Sequence, residues 1–255
     1  MDAKQAFLDY ASRYDRSSGK VELKIVHTMA VAEVMEQLTD ALKLPERTAY
    51  LAQLCAVFHD IGRFEQLKQY DTFSDSESVD HAELGCKVLK EEGMLRTLPK
   101  REQEMILTAI QNHNRFQIEE GLDEENLLLC KLIRDADKCD IFRVFSCEEM
   151  KDTMGETEEA VAGETVSDVM LESILGHSCV KREERRTGLD IWVSFLAFFF
   201  DLYFDESVAI AKKQGYYRQP FDRAVFADSE TAGRVKLILD EVEQYIDSRI
   251  GNSVR

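Results

Sequence analysis

The sequence contains five histidines, and four of them fall on apolar stripes of separate helical patterns. His27 shares its stripe with Leu23, Ala30, Val31, Val34 and Leu38; His59 follows Leu51 and Cys55. His81 lies with Leu84, Gly85 and Val88, and His113 follows Ile106 and Ile110. Two carboxylates keep them company: Asp137 continues the stripe Leu129, Ile133, Ile141, and Asp60 directly follows His59. An inward-facing carboxylate is costly unless it is paired or binds a cation, and a buried imidazole needs a partner. One shared metal site, mononuclear or polynuclear, satisfies all six groups at once. A mixed imidazole and carboxylate set suits Fe, Mn, Zn, Ni or Co better than Ca. Any one of these histidines alone reads more readily as a hydrogen-bonded core residue, so the case rests on the whole set.

The elements that must carry these side chains are helices. The spacing predicts one from about Lys20 to Leu42 and a second from Pro45 to Ile61, with Gly62 as its stop and a polar loop from Arg63 to Val79. Asp80, with Glu83 three residues on, predicts the N-cap of a helix from His81 to about Glu91 that ends at Gly93. Pro99 opens a helix reaching His113, and Asp123 caps one from Glu124 through Phe145. Ser146 to Glu184 is more acidic and less regular. Gly188 to Lys213 reads as a single apolar helix broken by Gly215 and Pro220, and Ser229 to Ile250 as the last helix. No alternating strand or hairpin pattern is found, so the expected class is all-α. On this reading Asp135 lies over Lys131 on the solvent side, and Asp60 sits at a helix C-terminus, where the dipole disfavours an anion.

Composition narrows the partners. A net charge of -17 repels nucleic acid polymers and anionic membrane faces, yet leaves a small phosphorylated ligand compatible with a local cation cluster. The six cysteines are scattered without a Cys-x-x-Cys pair, as expected in a reducing compartment. Met1 to Tyr10 shows no secretory signal, and the apolar run Leu189 to Phe204 is short for a membrane span. A cytoplasmic protein is the expectation.

The order of the site residues carries a resemblance. His27, then His59-Asp60-Ile61-Gly62, then Asp137 within Arg134-Asp135-Ala136-Asp137-Lys138, resembles the HD-domain metal-dependent phosphohydrolase superfamily over roughly residues 20 to 145. His81 and His113 between them make the pattern similar to the binuclear subgroup. The resemblance implies an HD-domain-like helical bundle over 1–145 and a C-terminal helical extension over 146–255 packed on the same core. It implies two divalent transition cations (Fe, Mn, Ni, Co or Zn, with Mg a further candidate), one on His27, His59 and Asp137, the other on His81 and His113. Asp60 would bridge them and position a metal-activated hydroxide for attack on phosphorus. The implied substrate is a small phosphorylated molecule, a nucleotide cleaved at a phosphomonoester, phosphodiester or polyphosphate. The chain lacks a Gly-Tyr-Pro signature and reads Asn112-His113-Asn114, which argues against cyclic di-GMP.

Arg63, directly after the motif, and Lys138, beside Asp137, are candidates for a substrate phosphate, with a solvated ion pair as the plainer reading of each. The loop carrying Tyr70 and Phe73 is a candidate cover, and His177 reads as a loop or cap residue. Two other functions fit the same residues: a metal- or nucleotide-binding sensing module, and a di-iron oxygenase on the same scaffold. No oligomeric state is implied.

Overall fold

A computed structural model of the protein describes residues 2–151 and 155–252; it is helical, with no strand among the described residues. The chain divides into two compact units, Met1–Asp140 and Ile141–Arg255. The first contains α1 (Ala3–Ala11), α2 (Gly19–Ala41), α3 (Glu46–Phe58), α4 (Gly62–Tyr70), α5 (His81–Glu92), α6 (Lys100–His113) and most of α7 (Glu124–Cys147). Helix α3 packs on α1, α2 and α6, and α5 packs on α4 and α6.

Local chemistry sets the helix ends. Pro45 and Pro99 stand just before α3 and α6, and their carbonyls accept the amides of Ala49 and Gln103. Asp80 accepts the amides of Ala82 and Glu83 at 2.8 and 3.0 Å, a cap contributing about 1 kcal/mol to α5. Gly93 ends that helix at φ 65°, a left-handed conformation that favours glycine. Asp123 accepts the Asn126 amide at 2.8 Å at the start of α7. Between these ends α2 buries Val21, Ile25, Val31, Met35 and Leu38 at helical spacing, so its buried face also turns His27 inward.

Three sequence expectations are corrected. Gly62 does not stop a helix; it begins α4, so the expected polar loop is helical as far as Tyr70, with Asp71 following at φ 55°. Glycine is required there by packing. A Cβ at Gly62 would lie 2.2 Å from the His81 carbonyl oxygen and 2.5 Å from the Gly85 amide nitrogen. Asp60 therefore precedes a helix start as well as following a helix end, and the partial positive charge of the α4 N-terminus favours its carboxylate. Asp135 is not on a solvent side but fully buried. From Leu129 to Asp140 every residue except Lys131 and Asp137 is buried, so over this stretch α7 has almost no outer face for a stripe to be measured against.

The third correction lies in the second unit. The run expected as one helix is interrupted: helix Gly188–Ser194, a 3-10 stretch Leu196–Asp201, extended residues at Leu202 and Phe204, then helix Asp205–Gln214. A run apolar on every side has no periodicity to reveal the break. Helices Asp168–Leu175 and Asp205–Gln214 pack on the last helix, Ser229–Asn252, and Trp192 stacks on Phe221 at 4.9 Å between ring centroids. His177 follows a helix end at φ 53° and bonds Glu241 at 2.8 Å, in keeping with a loop role. The six cysteines are free, and no helix among the described residues is long and apolar enough to cross a membrane.

Candidate metal centre

Each of the six residues singled out from the sequence comes from a different step of the first unit. His27 is on α2, His59 caps the end of α3, and Asp60 lies in the turn to α4. His81 is the first residue of α5, His113 the last of α6, and Asp137 lies on α7. All six meet. His27 Nε2 and His59 Nε2 are 3.3 Å apart, with Asp137 Oδ1 at 3.1 and 3.7 Å from them. His81 Nε2 and His113 Nε2 are 3.1 Å apart. Asp60 stands between the pairs. Its Oδ2 lies 3.7 and 3.8 Å from the first pair, and its Oδ1 lies 3.3 and 3.8 Å from the second.

The other ring nitrogens explain why every Nε2 points at this cluster. His59 Nδ1 donates to the Ala56 carbonyl at 2.8 Å, and His113 Nδ1 to the Ile110 carbonyl at 2.6 Å, each within its own helical turn. His27 Nδ1 meets Asp140 Oδ2 at 2.7 Å, and His81 Nδ1 meets Asp75 Oδ2 at 2.6 Å. In a neutral ring, a carbonyl or carboxylate partner fixes the proton on Nδ1 and leaves a lone pair on Nε2. Two further devices hold the frame. The close approach of Gly62 to α5 sets the first turn of α5, with His81, against the turn carrying Asp60. Arg134, buried on α7, donates to the carbonyls of Asn112, Arg115 and Phe116 around the end of α6, next to His113.

The electrostatics follow from burial and neighbours. Burial alone would raise the Asp60 pKa, but Lys24, His59, His113 and Arg63 hold it well below the ordinary carboxylate range. Lys24 Nζ is 2.8 Å from Oδ2, and Arg63 Nε 3.5 Å from Oδ1. Asp137 is likewise held low against the pull of burial by His27 and His59. Burial lowers His59 to about 4, and burial lowers His81 despite Asp75. His27 goes the other way, to about 9, because Asp137 and Asp140 outweigh its burial.

These residues fit a metal. In neutral His81 and His113 both Nδ1 protons are committed, so two Nε2 lone pairs face each other and face an Asp60 oxygen. That arrangement is repulsive without a cation among the three atoms. Nitrogen and carboxylate groups close enough to share one ion recur as His27, His59 and Asp137, and as His59, Asp60 and His113, all of them buried but Asp137. Such a mixed set suits a divalent transition metal.

Three contributors carry no recognisable sequence signal of their own: Lys24, Asp75 and Asp140. Lys24 and Asp140 each stand three residues from a predicted ligand, His27 and Asp137; on α2 that spacing is a signal, whereas on α7, buried nearly all round, it singles out nothing. Asp75 lies in a short 3-10 turn after α4, where no period applies. Of the two expected phosphate contacts, Arg63 Nη1 donates to the Phe73 carbonyl, Gln66 and Asp75, and Lys138 is buried on α7. The expected cover is divided: Phe73 lies beside Lys24 and Arg63, whereas Tyr70 at the end of α4 is exposed.

Residues 25–141 match the family described as HD domain. This family is typically one of metal-dependent phosphohydrolases. No curated protein and no solved structure matches the sequence.

Proposed function

From the HD domain that residues 25–141 form, we propose that this chain is a hydrolase of small phosphorylated molecules, nucleotides foremost, working on an ester or anhydride bond to phosphorus. One observation carries the reading: a single buried carboxylate, Asp60, turns one oxygen to the His27–His59 pair and the other to the His81–His113 pair. On that geometry His27, His59 and Asp137 would hold one divalent cation, His81 and His113 a second, and Asp60 would serve both. Fe, Mn, Ni, Co and Zn suit the donors, with Mg a further candidate. Cations bound there would lower the pKa of water and neutralise charge on a phosphoryl oxygen.

The protein's own part is to hold these donors in place. Asp140, Asp75 and the Ala56 and Ile110 carbonyls orient the four rings, and near-complete burial keeps bulk water from the nitrogen lone pairs. Asp137 keeps 15% side-chain exposure, which marks the open side of the cluster. Arg63, fixed by its bonds to Phe73, Gln66 and Asp75, places a permanent positive charge beside Asp60. The acidic surface disfavours polyanionic polymers and leaves small phosphates as the compatible class.

The test is to measure bound metal, reload the protein with Mn, Fe, Ni, Co, Zn or Mg, and assay a panel of mono-, di-, tri- and cyclic nucleotides. Metal-dependent turnover of at least one is expected, and Asp60→Ala should lose metal and turnover together. Inactivity of every metal form across the panel, or normal hydrolysis by Asp60→Ala, would overturn the reading.

A further inference from the structure

We propose that Lys24 is the side chain that binds the substrate's phosphate beside the metal centre, an inference that rests on the hydrolase reading above. Lys24 stands on α2 one turn ahead of His27, and its Nζ lies 2.8 Å from Asp60 Oδ2. Its side chain keeps 17% exposure where Asp60 keeps 4%, so it is the less buried partner of the pair.

Arg63 approaches the other Asp60 oxygen, and the Phe73 ring lies near both cations, 5.3 Å from Lys24 Nζ and 5.8 Å from Arg63 Cζ. The two cations differ in how they are held. Arg63 Nη1 is anchored by the Phe73 carbonyl, Gln66 Oε1 and Asp75 Oδ1 at 2.6 to 2.9 Å. Lys24 has Asp60 as its one carboxylate partner among the described residues. It carries a compact charge on a flexible four-carbon stem, suited to moving a short distance.

That one partner is the group both His pairs face. An ammonium and a divalent cation compete for the same carboxylate charge, so a metal at Asp60 weakens the hold on Lys24. A partly buried ammonium then needs another anion within reach, and a phosphoryl oxygen on the open side of the cluster supplies one. Lys24 thus neutralises Asp60 in the metal-free protein and binds phosphate in the loaded one.

The test uses Lys24→Met and Lys24→Arg in the full chain, with three readouts: metal content by elemental analysis, binding of inorganic phosphate to the Mn-loaded protein by calorimetry, and KM separately from kcat. The Met variant should keep its full metal content, bind phosphate about tenfold or more weakly and show a raised KM, while the Arg variant recovers most of the phosphate affinity. Phosphate affinity in the Met variant within about twofold of the wild type overturns the proposal. So does loss of metal together with phosphate, which would make Lys24 part of the centre's assembly; Lys24→Gln repeats the measurement if the Met variant does not fold. A wild type that hydrolyses nucleotides beside a Met variant with unchanged phosphate affinity removes this inference alone. A loaded wild type that binds no phosphate and turns nothing over removes the hydrolase reading with it.

Discussion

Asp140 and Asp75 each accept from the far nitrogen of one imidazole, and the two imidazoles belong to different pairs. A carboxylate in that position makes its ring a stronger donor through Nε2 and locks its orientation, and losing it typically costs about 10- to 100-fold in metal affinity. Asp140→Asn should therefore weaken binding of the cation that His27 and His59 would hold, and Asp75→Asn binding of the one that His81 and His113 would hold. Titration against a competing chelator should show one of two binding steps shifted in each variant, with the other preserved. If either variant weakened both steps equally, the two pairs would be one site. The inward placement of five of the six residues expected at the site was legible because polar groups interrupt apolar stripes, and that of Asp60 because it adjoins His59. Asp140 was not. On a helix buried nearly all round, the inner face cannot be told from the outer by spacing, which is also why Asp135 was placed wrongly.

Among the elements, the contact of α4 with α5 sets His81 against the turn that carries Asp60. Gly62 and Gly85 sit where the helices nearly touch, but their tolerances differ. A Cβ on Gly62 would meet backbone at 2.2 and 2.5 Å, which only a shift of a whole helix can relieve. A Cβ on Gly85 would meet the Gly62 amide nitrogen at 3.3 Å, a strain of a few tenths of an ångström. Overpacking of the first kind costs about 1–3 kcal/mol or more, whereas at Gly85 alanine's helix preference of about 1 kcal/mol offsets the crowding. Gly62→Ala should thus lower the denaturation midpoint clearly and weaken metal binding, with Gly85→Ala near wild type; chemical denaturation of both variants decides it. Equal midpoints would mean that the helices slide apart freely. Reading Gly62 as a helix stop followed a sound local rule, since a glycine at such a place is ambiguous until its neighbour in space is known. The caps at Asp80, Gly93 and Asp123 were legible because their chemistry is local, and the break at Leu202 to Phe204 was not, because nothing local marks it.

For the whole molecule, the buried imidazoles tie stability to pH, and the sign depends on which one titrates. His59, at about 4 in the folded chain against an ordinary 6.5, binds a proton more weakly folded than unfolded. Its contribution is complete above pH 6.5 and is lost as the pH falls toward 4; His81 is displaced in the same direction. His27, raised to about 9 by Asp137 and Asp140, binds its proton more tightly when folded. Its contribution is complete below pH 6.5 and fades as the pH rises through 9. The metal-free protein should therefore be most stable near neutrality and lose melting temperature from pH 6.5 to 9. A cation at His27 cancels the second trend, because it displaces the proton from Nε2 and binds better as the proton leaves. At a hundredfold excess over its dissociation constant one bound ion adds about 2.7 kcal/mol, so the gap in melting temperature between metal-loaded and chelator-treated protein should widen steadily with pH. Thermal unfolding at matched pH with Mn or chelator measures that gap. A gap that stays constant from pH 6.5 to 9 would mean that His27 carries no proton for the metal to displace, and the first pair would then have to be reassigned.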